Sequence, residues 1–368
     1  MSSSSPSTSS AFSTLQILAM CLLLTLFDLN NGSSRSGVKG NNVIDDPGGF
    51  GGSRSRVISG DATGGSTLRA PPFCYSLAPL QKGKVDVLIF SKDRPLRLLS
   101  LLESQALHVS GASSVTVMFL ASTEVRQAAY ERVASLFDDV EFVDEAQFGA
   151  EPDKPRFQVA VESVLERLSA PYITPIVDEM VWLRATDLAH VADYLDTAAP
   201  EGDGTFQLRL GMSYTNVGAA NPILQASNGP RSVLSFSWSW ELLPRDFAFV
   251  TVVDAAVVSA ARLRSEWKAL RFNHPGELES AWEKFQPSYG KGLHFFYADS
   301  SITNVEDPNK VRDDRSHPGH ANGLDAAAQK VVDGMHLNIS SVTELMPLTG
   351  HTGMDMAFLP ISKCSAGT

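Results

Sequence analysis

Pro171-Tyr-Ile-Thr-Pro-Ile-Val-Asp-Glu-Met-Val-Trp-Leu183 is the stretch that decides the fold, because an apolar segment in it runs directly into two adjacent acids. The apolar residues up to Val177 predict a short buried strand that ends at Asp178 and Glu179. Two carboxylates beside buried residues are costly unless a cation meets them. A divalent metal with a phosphate-bearing ligand is one such cation, because Mg²⁺ and Mn²⁺ prefer carboxylate oxygen. An exposed edge between strand and loop is the alternative.

Upstream of this stretch, apolar residues recur with the spacing of strands and helices in alternation. The predicted strands are Val85–Phe90, Val115–Leu120, Val140–Val143 and Tyr172–Val177, and the predicted helices are Leu96–Leu107, Glu124–Phe137 and Phe157–Leu168. Such alternation predicts an α/β fold with a mostly parallel sheet flanked by helices. Ligands bind such sheets at the carboxyl ends of the strands, so the Ser91–Pro95 loop and the two acids should face one crevice.

The composition of the chain limits its function classes. With 368 residues, 43% of them hydrophobic, the chain can bury one large core or two modest ones. The net charge of -11 and the sequence pI of about 5.2 argue against nucleic acid as a partner, which would need a basic patch. The three cysteines, Cys21, Cys74 and Cys364, are too few for a disulfide framework and do not indicate a redox compartment.

Residues 1–80 differ in composition from the rest of the chain. Counted from Ala11, the run that ends at Phe27 has about 17 mostly apolar residues, the low end for a membrane span. Residues 1–29 are therefore predicted to be an uncleaved signal anchor or a signal peptide. Residues 30–80 are rich in Ser and Gly and predict a flexible stalk, which leaves 81–360 for the folded domain. This order predicts a type II protein of the Golgi or ER membrane with a lumenal domain, or a secreted protein.

The residues around the first predicted loop resemble those of a known enzyme class. Phe90-Ser-Lys-Asp-Arg-Pro-Leu-Arg-Leu-Leu-Ser-Leu-Leu-Glu-Ser104 is similar to the first strand, loop and helix of GT-A-type glycosyltransferases, and in particular to a bacterial-type, family-2-like group of nucleotide-diphospho-sugar transferases. The likeness covers roughly Val85 to Phe358 and continues, in order, through Val177–Met180, Phe206–Gly211, Phe236–Trp240, Asp246–Asp254 and Ile302–Val311. It implies a GT-A-like fold with an antiparallel extension on the acceptor side. It also implies transfer of a sugar from a nucleotide-diphosphate donor to a glycan or other hydroxyl acceptor.

The resemblance implies a metal site at the two acids. Asp178 would hold a divalent Mn²⁺ or Mg²⁺ that neutralises the departing diphosphate, and Glu179 would be a second ligand or a ribose contact. The sequence departs from the usual Asp-x-Asp motif at Met180, which stands where a second acid would be. His351 matches a late histidine that many enzymes of this class add to the metal or the diphosphate. A polar surface histidine in a Gly/Thr loop is the alternative.

The resemblance also implies donor contacts in the Ser91–Pro95 loop. There Asp93 would offer an acceptor and Arg94 a planar donor at the base and phosphate end of the nucleotide. A plain polar turn in which Pro95 begins the next helix would need no ligand. Lys154 precedes the helix that leads into the acid strand, and it is either a nucleotide contact or a solvated loop lysine. Arg209 lies in an apolar pattern, so it should contact either a donor phosphate or a structural carboxylate.

An inverting transferase also needs a general base for the acceptor hydroxyl. The candidates are Glu241, Asp246 and Asp254. The resemblance favours Asp246, whose neighbours match the acceptor-side segment, whereas Asp254 can instead cap a helix in the Ala/Val run that follows it. Trp238 and Trp240 have period-two spacing, and they would either form a platform for a sugar ring or pack in the core.

Two other function classes fit the same pattern. A nucleotidyltransferase that makes nucleotide sugars would share the fold, but the first loop lacks the long Gly-rich, Lys/Arg-bearing signature of such enzymes. A catalytically inactive carbohydrate-binding or scaffold protein is the second alternative, because Met180 interrupts the acid motif. The expected partners of the transferase are a nucleotide-sugar donor, a hydroxyl acceptor and a membrane bound through the N-terminal segment.

Overall fold

The structure is a computed structural model, and it describes residues 83–210, 223–225, 231–237, 252–285, 293–297, 299–306, 319–339, 351–353 and 358–361. All of these residues belong to one compact unit of the chain. The predicted anchor and stalk lie outside the described residues, as do Glu241, Asp246 and the two tryptophans at 238 and 240. Within the ranges given above, no helix is long and apolar enough to cross a membrane.

Strands and helices alternate through the first half of the described chain. They are β1 Val85–Lys92, α1 Pro95–His108, β2 Val109–Ser110, β3 Ala112–Leu120, α2 Glu124–Ala134, β4 Glu141–Asp144, α3 Arg156–Arg167 and β5 Tyr172–Val177. The four predicted strands and three predicted helices are confirmed. One boundary is wrong: Ser91 and Lys92 belong to β1 rather than to a loop, because they continue the parallel pairing of β1 with β3.

The second half of the chain adds shorter elements. They are β6 Met180–Trp182, β7 Thr186–Asp187, α4 Leu188–Ala198, β8 Thr205–Gln207, β9 Ile223–Gln225, β10 Val233–Ser237, β11 Ala256–Ser259, α5 Ala260–Lys268, α6 Pro275–Trp282, β12 Leu293–Tyr297, β13 Ile302–Glu306, α7 Gly319–Val332, β14 Met335–Leu337, β15 His351–Gly353 and β16 Phe358–Pro360. Single turns of 3₁₀ helix occur at Glu145–Gln147 and Glu283–Phe285.

Nine of the sixteen described strands form the main sheet, in the order β4-β3-β1-β5-β11-β8-β12-β10-β9, and the other seven form three small sheets. The first four strands are parallel, and β11 runs antiparallel to β5. Because β8 is antiparallel to β11 and parallel to β12, both have the direction of β5. This arrangement confirms the predicted α/β, GT-A-like fold with an antiparallel extension.

The strand order reverses between β1 and β5. After β1 the chain adds β3 and β4 on one side, and it then returns to place β5 on the other side of β1. Phe90 of β1 faces Met118 of β3 and Val177 of β5, so the three strands reach the same edge of the sheet together. In open α/β sheets, ligands bind outside the carboxyl ends of the strands at such a reversal. The residues that follow β1 and β5 therefore flank the expected ligand site.

The sheet is buried on both faces, as a parallel sheet requires. Along β1, Val85, Val87 and Ile89 belong to one apolar cluster, and Leu88 and Phe90 belong to the other. The first cluster includes the leucines of α1, and the second includes apolar residues of α3 and α5. Buried side chains at every position from 85 to 90 make β1 a rigid support for the residues at its carboxyl end.

The prediction that Asp254 caps a helix is wrong. The residues from Ala256 to Ser259 form β11, and the helix begins only at Ala260. Ala255 has a φ of 65°, which turns the chain before the strand, and its backbone N–H donates to the Pro175 carbonyl at 2.9 Å. Pairing with β5 thus overrides the helical preference of the Ala-rich run, and it places Asp254 at the carboxyl edge of β5.

Candidate functional site

Asp178 lies at the carboxyl end of β5 with only 4% of its surface exposed. Its Oδ2 accepts a hydrogen bond from Ser91 Oγ at 2.8 Å, and its Oδ1 lies 3.6 Å from Arg94 Nη1. Burial raises the pKa of Asp178 to about 6, although Arg94 and the Ser91 hydroxyl both favour the ionised form. The carboxylate is therefore held by side chains from the end of β1, across the strand-order reversal.

Arg94 supplies the positive charge that the two acids require. Its Nη1 also lies 3.2 Å from Glu179 Oε2, so one guanidinium contacts both carboxylates. The pKa of Arg94 is raised above its ordinary value, chiefly because of the charge on Asp178. The predicted proximity of the first loop and the two acids is confirmed, because Ser91 contacts Asp178 and Arg94 contacts both Asp178 and Glu179.

A buried tyrosine completes the hydrogen-bond network around Asp178. Tyr130 Oη accepts from the backbone N–H of Arg94 at 3.0 Å and lies 2.7 Å from Ser91 Oγ. Because the Ser91 hydroxyl proton goes to Asp178, the Tyr130 hydroxyl must donate to Ser91. Burial raises the pKa of Tyr130, so the phenol keeps its proton at neutral pH. The network therefore runs from the Arg94 amide through two hydroxyls to the carboxylate.

Sequence reasoning missed Tyr130 as a site residue. The residue lies on the buried face of α2, where an aromatic ring is expected to pack, and its ring lies 4.7 Å from that of Phe119. The available signal is chemical, since the hydroxyl of a fully buried tyrosine usually finds a hydrogen-bond partner. Nothing in the sequence identifies that partner, because 36 residues separate Tyr130 from Arg94.

Asp93 holds the turn between β1 and α1. It has a φ of 60°, and its backbone N–H donates to the Leu120 carbonyl at 2.9 Å. One carboxylate oxygen accepts from the Ser122 amide at 2.7 Å, and the other accepts from the Ser122 hydroxyl at 2.8 Å. Arg126 Nη1 lies 3.3 Å from the same carboxylate. These contacts fix the turn that carries Arg94, and a nucleotide contact by Asp93 stays a prediction.

A second polar cluster lies at the same edge of the sheet, one strand beyond β5. Arg209 Nη1 pairs with Asp254 Oδ2 at 2.5 Å, so Arg209 contacts a carboxylate of the protein, one of its two predicted partners. The charges of Arg209 and Asp254 both shift the pKa of Glu279 on α6. Burial, reinforced by the charge of Asp254, raises the pKa of Glu279 to about 7, while Arg209 opposes the shift. The cluster thus contains a carboxyl group that changes charge near neutral pH.

Asp178 and Glu179 fit a metal that takes few protein ligands. Among the residues that the structure describes, no group of three His, Cys, Asp or Glu side chains can hold a metal ion. Mg²⁺ is commonly held by one or two carboxylates, with substrate phosphates and water as its other ligands. Two neighbouring carboxylates beside an arginine suit that arrangement, so the residues present are compatible with a metal bound together with a diphosphate.

The comparisons with known proteins concern the fold. No family model matches the sequence, and no curated protein matches it. Among solved structures, S. aureus TarS 1–349 matches with a TM-score of 0.38 and 12% identity over 60% of this chain and 59% of that chain. The complex of the same fragment with UDP-GlcNAc matches with a TM-score of 0.36 and 13% identity, over 60% and 57% of the two chains.

Two further solved structures have similar folds. Glucosyl-3-phosphoglycerate synthase from Mycobacterium tuberculosis, with Mn²⁺, UDP and glucosyl-3-phosphoglycerate bound, has a TM-score of 0.36 and 13% identity over 68% of this chain and 77% of that chain. A nucleotidyl transferase from Methanothermobacter has a TM-score of 0.30 and 13% identity over 58% and 86% of the two chains. The chain thus spans less than two thirds of the TarS fragment, and at these identities the likeness is one of fold alone.

The remaining predicted site residues have different placements. Lys154 Nζ pairs with Glu162 at 2.5 Å, so the ammonium group of Lys154 has a carboxylate partner within the protein. His351 is the first residue of β15, which pairs with β13. On its other side β13 pairs with β6, the strand that begins directly after the two acids. The backbone of His351 therefore lies about two strand spacings, roughly 10 Å, from that of Met180. A metal contact by His351 stays a prediction, as do the roles of Glu241 and Asp246.

Proposed function

We propose that the protein is a glycosyltransferase that moves a sugar from a nucleotide-diphosphate donor to a hydroxyl acceptor. The observation that carries the proposal is the buried Asp178, held by Ser91 and facing Arg94 where the strand order reverses between β1 and β5. This is the position where open α/β sheets bind nucleotides. The sequence resemblance to GT-A-type transferases, which runs through both sides of this site, gives the reaction type.

Arg94 is suited to receive the donor diphosphate. Its guanidinium is planar, carries several N–H donors, and contacts Asp178 and Glu179 through Nη1. Arginine binds phosphate oxygens with two parallel hydrogen bonds where the geometry allows it. A divalent ion held by Asp178 and Glu179 would supply further positive charge for the departing diphosphate. The hydrogen bond from Ser91 keeps Asp178 oriented and favours its ionised form.

The second polar cluster is suited to the acceptor. Asp254 lies at the same sheet edge as the donor side, beside the end of β5, where Arg209 pairs with it and its charge acts on Glu279. A general base works best when its pKa lies near the working pH, and burial raises the pKa of Glu279 to about 7. Among the acids that the structure describes, Asp254 and Glu279 are thus our candidates for accepting the hydroxyl proton, beside the sequence-predicted Asp246 and Glu241.

The cellular setting of the proposal rests on the sequence alone. The apolar segment in residues 1–29 would attach the chain to a Golgi or ER membrane, and residues 30–80 would link it to a lumenal catalytic domain. Cleavage of the same segment would give a secreted enzyme with the same chemistry.

Release of nucleotide from a panel of nucleotide sugars tests the function. The full-length chain is incubated with each sugar nucleotide, with and without Mn²⁺, and the Asp178→Asn variant is measured in parallel. Asp138→Asn is the matched control, because it removes the same charge from an exposed position. Nucleotide release that only Asp178→Asn abolishes supports the transferase.

Two other outcomes would contradict the proposal. If no nucleotide or nucleotide sugar binds in calorimetry, the protein is not a transferase of this kind, and the scaffold alternative is favoured. If the protein instead releases pyrophosphate from a nucleoside triphosphate and a sugar phosphate, it is a nucleotidyltransferase.

A further inference from the structure

Asp325 on α7 contacts the start of α2, beside the proposed donor site. Its Oδ1 accepts hydrogen bonds from Arg126 Nε at 2.7 Å and from Thr123 Oγ1 at 2.9 Å. Thr123 is the N-cap of α2, and its Oγ1 also accepts from the Arg126 amide at 3.4 Å. Asp325 therefore engages both the cap and the first turn of this helix, from a position 199 residues away from Arg126.

Arg126 connects Asp325 to the turn at the end of β1. Only 6% of the Arg126 side chain is exposed, and its Nη1 lies 3.3 Å from Asp93 Oδ1. The guanidinium thus lies between two carboxylates, one from the turn after β1 and one from α7. Loss of one partner from a buried ion pair leaves a charge uncompensated, so the arginine is expected to change its contacts when either acid is removed.

The contacts of Asp93 extend this connection to the acids. Asp93 holds Ser122 through both carboxylate oxygens, and it directly precedes Arg94. The Arg94 amide is held by Tyr130, and its guanidinium contacts Asp178 and Glu179. Two ion pairs, Asp325–Arg126 and Arg126–Asp93, and the peptide bond between Asp93 and Arg94 therefore link α7 to the proposed donor site.

We propose that Asp325 is a positioning residue for the donor site, acting through Arg126 on the Asp93 turn and hence on the direction of Arg94. The inference rests on the proposed function only for the identity of the ligand. The effect of Asp325 on the Asp93 turn does not depend on that function. It makes α7 part of the donor site through Arg126 and Asp93.

The helix has a second anchor that keeps it in place without Asp325. His336 Nδ1, in the strand after α7, lies 2.9 Å from Glu103 Oε1 on α1, and both side chains are buried. Ala328 and Val331 of α7 also lie in the core. Asp325→Asn should therefore alter the contacts of Arg126 and leave α7 docked.

Nucleotide binding tests the proposal. UDP, GDP and CDP are titrated into the full-length wild type and into Asp325→Asn by calorimetry, with and without Mn²⁺. We expect about tenfold weaker binding in the variant, the low end of what loss of an outer-shell partner costs a metal site. Asp325→Glu should restore much of the loss. Asp333→Asn is the matched control, because Asp333, directly after α7, is exposed and its carboxylate accepts a hydrogen bond from Gln329 of that helix.

Hydrogen exchange separates this proposal from the proposed function. In Asp325→Asn, the amides of Arg94 and Ser122 should exchange faster than in wild type, while those of α7 and α1 should not change. If wild type binds no nucleotide, the proposed function fails, and the exchange result still decides the positioning role. Unchanged exchange and unchanged nucleotide binding would overturn the inference. Faster exchange throughout α7 would also overturn it, because Asp325 would then only hold the helix.

Discussion

Replacing Asp178 with Asn should stabilise the fold at alkaline pH and abolish nucleotide release. Burial raises the pKa of Asp178 from 3.8 to about 6. The folded state therefore binds the Asp178 proton more tightly than the unfolded state does. This tighter binding stabilises the fold fully below the unfolded pKa, and the stabilisation is lost as pH rises through the folded pKa. A shift of this size corresponds to about 3 kcal/mol. Asn has the shape of the neutral acid and avoids this cost.

Urea unfolding of both proteins at several pH values measures the effect. At about pH 8 the free energy of unfolding of Asp178→Asn should exceed that of wild type by about 2 to 3 kcal/mol, and the difference should vanish towards pH 4. Asp138→Asn, which removes an exposed charge, should show no such dependence. A variant that is less stable than wild type at pH 8 would refute the reasoning, because Arg94 and Ser91 would then outweigh the burial of Asp178.

Addition of Mn²⁺ extends the same experiment to the proposed metal. A cation that binds the ionised Asp178 stabilises only the folded state, by about 2.7 kcal/mol at a hundredfold excess over its Kd. Wild type should gain this stability at about pH 8, where Asp178 is ionised, and Asp178→Asn should not. Equal gains in the two proteins would show that Asp178 is not a ligand.

Three other predictions concern the same edge of the sheet. Tyr130→Phe should lower the free energy of unfolding by about 1 to 3 kcal/mol, because the Arg94 amide loses its acceptor and Ser91 loses its donor. Tyr130→Phe should also reduce nucleotide release, whereas Tyr172→Phe, which removes a hydroxyl from the opposite end of β5, should not, and equal release by the two variants would contradict the network. Glu279→Gln should remove a rise in rate through about pH 7 if Glu279 is the base; persistence of that rise would place the base elsewhere. Mn²⁺ and UDP should each tighten the binding of the other by the same factor in calorimetry, and independent binding would argue against a shared site.

Much of the fold could be predicted from the sequence because its signals are local. Val85–Phe90 is apolar at almost every position, as expected for a strand buried on both faces, and the leucines of α1 recur at helical spacing. The alternation of such segments predicts the parallel strands, and the acids after Val177 then fall at the carboxyl edge. That placement depends only on the order of elements along the chain.

Other parts of the site depend on contacts between residues far apart in the sequence. Asp254 was predicted to cap a helix because the Ala/Val run after it looks helical, but the pairing of that run with β5 makes it a strand. The contact between Asp325 and Arg126 joins residues 199 positions apart, and both lie on helices with ordinary polar patterns. Neither contact changes the local composition or periodicity of the sequence, so neither could be predicted from one sequence.

The two acids show why the chemistry of a site is harder to predict than its position. The cost of burying Asp178 and Glu179 predicts a cation beside them, and that prediction is correct. The same cost does not tell whether the cation is a metal or an arginine. The structure places Arg94 against both acids, with 39% of its side chain exposed against 5% for that of Asp178. The cation is therefore the accessible member of the pair and the acid the enclosed one. A diphosphate that enters the crevice would meet Arg94 first, and each contact it makes with the guanidinium would weaken the compensation of Asp178. Binding of the proposed donor would thus create a need for a second positive charge, which is the condition under which a metal would join the site.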